Sequence, residues 1–182
     1  MSGVFNLGLV ITFLSFSVCG AISQVGKNSD LDSILGRFPG YHLQAVQELD
    51  SAARDFFLRH FPRQDPGIVR GDFNGDGNPD YALLLKGNKS TAQKLVVFLC
   101  SGVGQCKSVY DLDVTAYSDS VYLRPVKVGS RVSQTDAIPR NDRALTKKPM
   151  ALGIEITYFE KAKVVLSWNP KLKKLDEMQT ED

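Results

Sequence analysis

The stretch GDFNGDGNPDYALLL, residues 71 to 85, places Asp72, Asn74, Asp76 and Asp80 at intervals of two, two and four, then passes directly into apolar side chains. With Asp72 as the first position of a cation loop, Asn74 is third, Asp76 fifth, Gly77 sixth, Asn78 seventh and Asp80 ninth. Alternate residues of a tight loop point inward, a glycine at the sixth position permits the sharp turn, and the seventh lends a backbone carbonyl; hard cations such as Ca²⁺ take oxygen donors in that pattern. The twelfth position, where a helix-flanked calcium loop carries a bidentate Glu, is Leu83. The spacing therefore predicts a calcium loop closed by β-structure, with Asp80 as its last protein ligand. Without a bidentate carboxylate the expected affinity is about 10⁻⁴ to 10⁻³ M, the range of extracellular modules. The competing expectation is a metal-free turn, since Asn-Gly, Asp-Gly and Asn-Pro are turn dipeptides that Asx hydrogen bonds can hold. Three converging aspartates repel one another without a cation, which favours the metal, and Mg²⁺ fits less well because it demands stricter octahedral geometry.

The pattern to either side is one helix followed by many strands. Asp50 or Ser51 can cap the helix SAARDFFLRHF, which places Ala53, Phe56, Phe57 and His60 on one side and ends at Pro62. Strands are expected at Ile68-Val69, Tyr81 to Leu85, Lys94 to Cys100, Lys107 to Leu112 and Val121 to Val128. GIEITYFEKAKVVLSWN supplies two more around a Glu160-Lys161 turn, and a last short strand lies near Leu175. Tyr41 to Val46 alternates weakly, as an edge strand would. Short turns between such strands predict an α+β domain over residues 41 to 182, with a mainly antiparallel sheet and one N-terminal helix at about 50 to 61.

GDFNGDGNPDYALLL resembles the calcium loop of FG-GAP and VCBS-type repeats, found in integrin α-subunit propellers and in many secreted bacterial proteins. The likeness covers roughly residues 67 to 99, because KLVVFL is similar to the strand that follows in those repeats. It implies that Asp72, Asn74, Asp76 and Asp80 are side-chain ligands and that Asn78 lends its carbonyl. A propeller needs several blades, whereas this chain has one such loop. The expected fold is thus not a full β-propeller, and the chain looks more like a small exported protein with a single loop.

Residues 1 to 21 contain no Lys, Arg, Asp or Glu, and Leu7 to Val18 is nearly all apolar. That run is shorter than the roughly 20 apolar residues a membrane span takes. It fits the apolar region of a secretory signal, with Ala21-Ile22-Ser23 as the small-x-small site, although the usual basic start is missing. We expect a signal over 1 to 23, cleaved after Ala21 or Ser23, then a flexible leader over 24 to 40, with no transmembrane helix in the mature chain. Lipidation at Cys19 is the alternative, but Val18 occupies the position that a lipobox fills with a small residue. Cys100 and Cys106 flank five residues rich in Gly and Ser between β-prone runs, so their sulfurs should face each other in a hairpin. An oxidising compartment would let them pair, contributing roughly 2 kcal/mol.

Lys and Arg number 22 against 20 Asp and Glu, with both signs interspersed, which provides no basis for nucleic-acid binding. No GxSxG, HExxH or GxxxxGK[ST] motif is present, and there are two histidines, His42 and His60. Paired carboxylates can serve a glycosidase, but Glu155 and Glu160, five residues apart on a strand and its turn, should lie on different sides of the sheet. Residues 129 to 149 lack periodicity and carry Arg131, Arg140, Arg143, Lys147 and Lys148, a solvated loop or a contact surface for an acidic partner. The expected function is a non-enzymatic exported module, periplasmic or secreted, that binds a protein or envelope component. The alternative is a secreted inhibitor of an enzyme such as a lysozyme or protease, with the 129 to 149 loop inserting into a cleft.

Overall fold

The computed structural model describes residues 29 to 130, 132 to 133, 146 to 147 and 150 to 180. Helix α1 (Ser29–Leu35) is followed by β1 (Tyr41–Leu43), a 3₁₀ turn (Val46–Glu48), α2 (Ser51–His60), β2 (Ile68–Gly71), β3 (Asp80–Gly87), β4 (Gln93–Cys100) and β5 (Cys106–Asp113). After a second 3₁₀ turn (Thr115–Tyr117) come β6 (Val121–Val126), β7 (Val132–Ser133), β8 (Thr146–Lys147), β9 (Gly153–Tyr158), β10 (Ala162–Asn169) and β11 (Lys174–Thr180). Mainly antiparallel β-structure with few helices is the observed architecture, and among the described residues no sheet closes into a barrel.

The first sheet runs β1-β3-β4-β5, with β2 also paired to β3. Tyr41 to Leu43 lies opposite Gly87 to Leu85, and Ile68 to Gly71 opposite Leu83 to Asp80. Because β4 takes the other edge of β3, β1 and β2 share one edge in tandem. The second sheet runs β11-β10-β9-β6, and β7 with β8 forms a small separate pair. Between the sheets lie Phe73, Ala82, Leu84, Leu95 and Val97 from the first and Leu123, Ile154, Ile156 and Leu166 from the second.

Successive strand residues point to opposite faces, so the other face of β3 carries Tyr81, Leu83 and Leu85. These pack with Val96, Phe98, the two cysteines and Ile34 of α1. Coverage on both faces is why YALLL is an unbroken apolar run rather than an alternating one. Part of the segment expected to be a flexible leader is therefore structured. Residues 29 to 35 are helical, and Ile34 is 0% exposed against the first sheet; the apolar spacing of Leu31, Ile34 and Leu35 supplies the face that docks. The cluster Leu31, Ile34, Leu35 and Phe38 already reads in sequence as a helical turn broken at Pro39-Gly40, and α1 extends that turn into a second helix beside the one expected at about 50 to 61.

On the outer face of the second sheet, Tyr122 packs with Leu49 and with Ala53 and Phe57 of α2. Asp50 caps this helix, its Oδ1 accepting from the amides of Ala52 and Ala53 at 2.9 Å. Phe56 is half-buried and His60 exposed, so the apolar face is narrower than the sequence spacing predicts. Full burial of Phe57 contributes about 1.5–3 kcal/mol. Among the described residues no helix is long and apolar enough to cross a membrane.

Candidate metal loop

The acidic loop joins β2 to β3, which are already paired at Gly71 and Asp80. Gly71 packs closely on Leu152 there: a Cβ on it would meet Leu152 Cδ2, and that side chain would have to turn aside. The Asp72 carbonyl accepts from the Leu152 amide at 3.0 Å, which ties the start of the loop to the segment entering β9. Phe73, fully buried between the sheets, anchors the same point. Sequence reasoning missed Phe73, although one large apolar residue inside a polar loop is a legible sign of an anchor.

Asp72 is the hub of the loop. Its Oδ1 accepts from the amides of Gly75 at 2.6 Å and Asp76 at 3.2 Å, and its Oδ2 from Gly77 at 2.8 Å. Gly75 and Gly77 have φ of 81° and 84°, a left-handed conformation that costs glycine little and other residues more. Asn74 Oδ1 accepts from the Asp76 amide at 3.0 Å, while its Nδ2 donates to Asp76 Oδ2 at 3.0 Å. Asp76 Oδ1 in turn accepts from the Asn78 amide at 2.8 Å and from its side chain at 3.1 Å. The bond from the Asn78 amide, reinforced by Asn74, holds the Asp76 carboxyl below its ordinary pKa.

Asp80 is placed differently. It is 0% exposed, and its Oδ2 accepts from the Phe73 amide and its Oδ1 from the Cys100 amide, both at 2.8 Å. Burial pushes its pKa up from 3.8 to about 6, against the pull of those two amides, and the negative charges of Asp76 and Asp72 add to the rise. Four of the five expected ligands are thus interlinked on the loop, while the fifth is drawn into the interior. Among the described residues no three acid, His or Cys side chains are grouped closely enough to hold a metal ion. The donor types still suit a hard cation: they are carboxylates, amides and carbonyls. Each carboxylate also offers about four lone-pair directions, which the two or three amide bonds seen do not exhaust.

The disulfide is formed as expected: Cys100 and Cys106 lie directly opposite on β4 and β5, with Cα atoms 4.0 Å apart. Glu155 and Glu160 are not a pair. Glu155 Oε1 accepts from Arg124 Nη1 at 3.1 Å and from Thr157 Oγ1 at 3.0 Å, whereas Glu160 sits in the β9–β10 turn with φ 57°. Most of the basic 129 to 149 segment, including Arg131, Arg140, Arg143 and Lys148, lies outside the described residues, as do the expected signal and Cys19. Comparison of the chain with protein families, with curated proteins and with solved structures finds no match.

Proposed function

We propose that this chain is an exported, non-enzymatic binding module whose β2–β3 loop takes a structural Ca²⁺ and whose partner is a protein or a component of the cell envelope. The observation that carries the metal part is an imbalance of charge. Asp72, Asp76 and the fully buried Asp80 belong to one short connection, and among the described residues no Lys, Arg or His forms an ion pair with any of them. A buried carboxylate held by neutral amides alone is costly, and a divalent cation supplies the missing positive charge. Asp72, Asn74 and Asp76, the carbonyl of Asn78, and Asp80 from the loop floor would hold it. A weak site is useful only where calcium is abundant, which agrees with an apolar N-terminal stretch read as a secretory signal and with a disulfide that an oxidising compartment preserves.

The ion would fasten two strands rather than perform chemistry. The test is thermal melting of the purified chain in chelator and in millimolar Ca²⁺. The melting temperature should rise with Ca²⁺ in the wild type, less with Mg²⁺, and not at all in Asp76→Ala. A wild type indifferent to both Ca²⁺ and chelator removes the metal from the proposal. Recovery of the native protein with a stoichiometric enzyme partner would instead favour the inhibitor reading.

A further inference from the structure

His42, on β1, is held between two acceptors. Its Nε2 lies 3.0 Å from Glu48 Oε1 and its Nδ1 lies 2.8 Å from Asn88 Oδ1. The Asn88 amide is oriented independently, because its Nδ2 donates to the Pro39 carbonyl at 3.4 Å and so leaves Oδ1 for the ring. A neutral imidazole has one N–H to give, whereas an imidazolium has two. We propose that protonated His42 is a pH-operated clasp that holds β1, the Val46–Glu48 turn and the β3–β4 turn together, and that loss of its proton loosens the segment from Tyr41 to Leu49.

The surrounding charges support this assignment. Glu48 faces the ring from the 3₁₀ turn, and Lys86 approaches from β3, with Nζ 4.0 Å from Glu48 Oε1 and 3.4 Å from Asp119 Oδ1. The hydrogen bond to Glu48, then that to Asn88, raises the His42 pKa above 6.5; partial burial and the Lys86 charge oppose the rise without cancelling it. Partial burial alone would raise the Glu48 carboxyl, but the Ala45 amide and His42 hold it below its ordinary value.

Glu48 does two jobs with one carboxylate. While Oε1 faces His42, Oε2 accepts from the Ala45 amide at 2.8 Å and closes the turn. That turn leads into Asp50, the cap of α2, and it follows Gln44, whose buried side chain donates to the Val121 carbonyl at 3.0 Å across to the second sheet. A neutral ring must turn a lone pair toward either Glu48 or Asn88, so it either loses one of the two links or keeps both by turning the Asn88 amide over and breaking its bond to Pro39. With a raised folded-state pKa, the stabilisation is fully present below 6.5 and is lost as pH rises through the higher folded value.

The test is an NMR titration of the purified chain, in which only two histidines resonate and His42→Gln assigns the signal. Exchange of the Ala45 amide is followed in parallel. The expected result is a His42 midpoint above 6.5 that Glu48→Gln lowers. Ala45 protection should drop several-fold across that midpoint, beyond the base-catalysed rise common to all amides. A wild-type midpoint at or below 6.5, or Ala45 protection with no step at the midpoint, overturns the proposal. Both deciding measurements use the wild type, so a variant that fails to fold leaves the outcome intact.

Discussion

Two loops leave the same end of the first sheet and are fastened by opposite means. The β4–β5 loop is closed by a covalent bond between directly opposed residues, Cys100 and Cys106. The β2–β3 loop is closed by carboxylates, with Asp72 gathering the amides of Gly75, Asp76 and Gly77. Asp80 touches both, accepting from Phe73 in one loop and from Cys100 at the mouth of the other. The disulfide answers to redox conditions alone, while the carboxylate fastening answers to protons and, on the proposed function, to Ca²⁺. One sheet end thus combines a fixed closure with an adjustable one, and Asp80 is where they meet.

The largest break in this comparison should come from Asp80→Ala. It leaves two buried amides without acceptors, each costing about 1–3 kcal/mol, partly offset by removal of a poorly solvated charge, so the net loss at pH 7 should be ~2–4 kcal/mol in urea unfolding. It should also abolish any Ca²⁺-dependent rise in melting temperature, which Cys100→Ser with Cys106→Ser should leave in place. If both variants lose the Ca²⁺ response equally, the two fastenings are not independent.

Acidity sharpens the comparison further. The folded pKa of Asp80, about 6, lies above its ordinary 3.8, so the folded state holds this proton more tightly than the unfolded state. Its stabilisation is complete below about pH 4 and is lost as pH rises through about 6, a swing of up to ~3 kcal/mol. Other carboxyls run the opposite way: Asp76, Asp113 and Glu48 have lowered pKa values and favour the folded state at higher pH. The Asp80 term is therefore read as the difference between wild type and Asp80→Asn in chelator, and saturating Ca²⁺ should flatten it. The double cysteine variant should show the smallest effect, about 2 kcal/mol of lost stability from a loop this short, with no pH dependence of its own between 4 and 7.

Several features were legible because their causes lie within a few neighbouring residues. The Asp50 cap, the apolar face of α2, the Gly-rich hairpin and its cysteine pair, and Gly77 at the sixth position of the acidic loop all express local backbone and turn chemistry. Of the side chains spaced along the acidic loop, Asn74 and Asp76 meet directly, while Asp72 gathers backbone amides. The docking of α1 was less legible. Its apolar residues were visible, but seven residues do not hold a helix in water, and only the waiting face of Tyr81, Leu83 and Leu85 makes it form.

By itself, then, the sequence determined the strands of the two larger sheets, the turns between them, the acidic loop and the disulfide partners, because each is set by conformational preferences acting over a short span; β7 and β8 fall in a segment without periodicity. Tertiary structure alone decided that β1 and β2 share one edge of β3, that both faces of β3 are covered, and that Phe73 anchors the loop. It also set Asp80 apart from the other acids, burying it where it accepts from the amides of Phe73 and Cys100. The physical reason is that strand pairing and burial are settled by residues far apart in the chain. Cys100 is brought to Asp80 by the pairing of β3 with β4, and no spacing within residues 71 to 85 contains that contact.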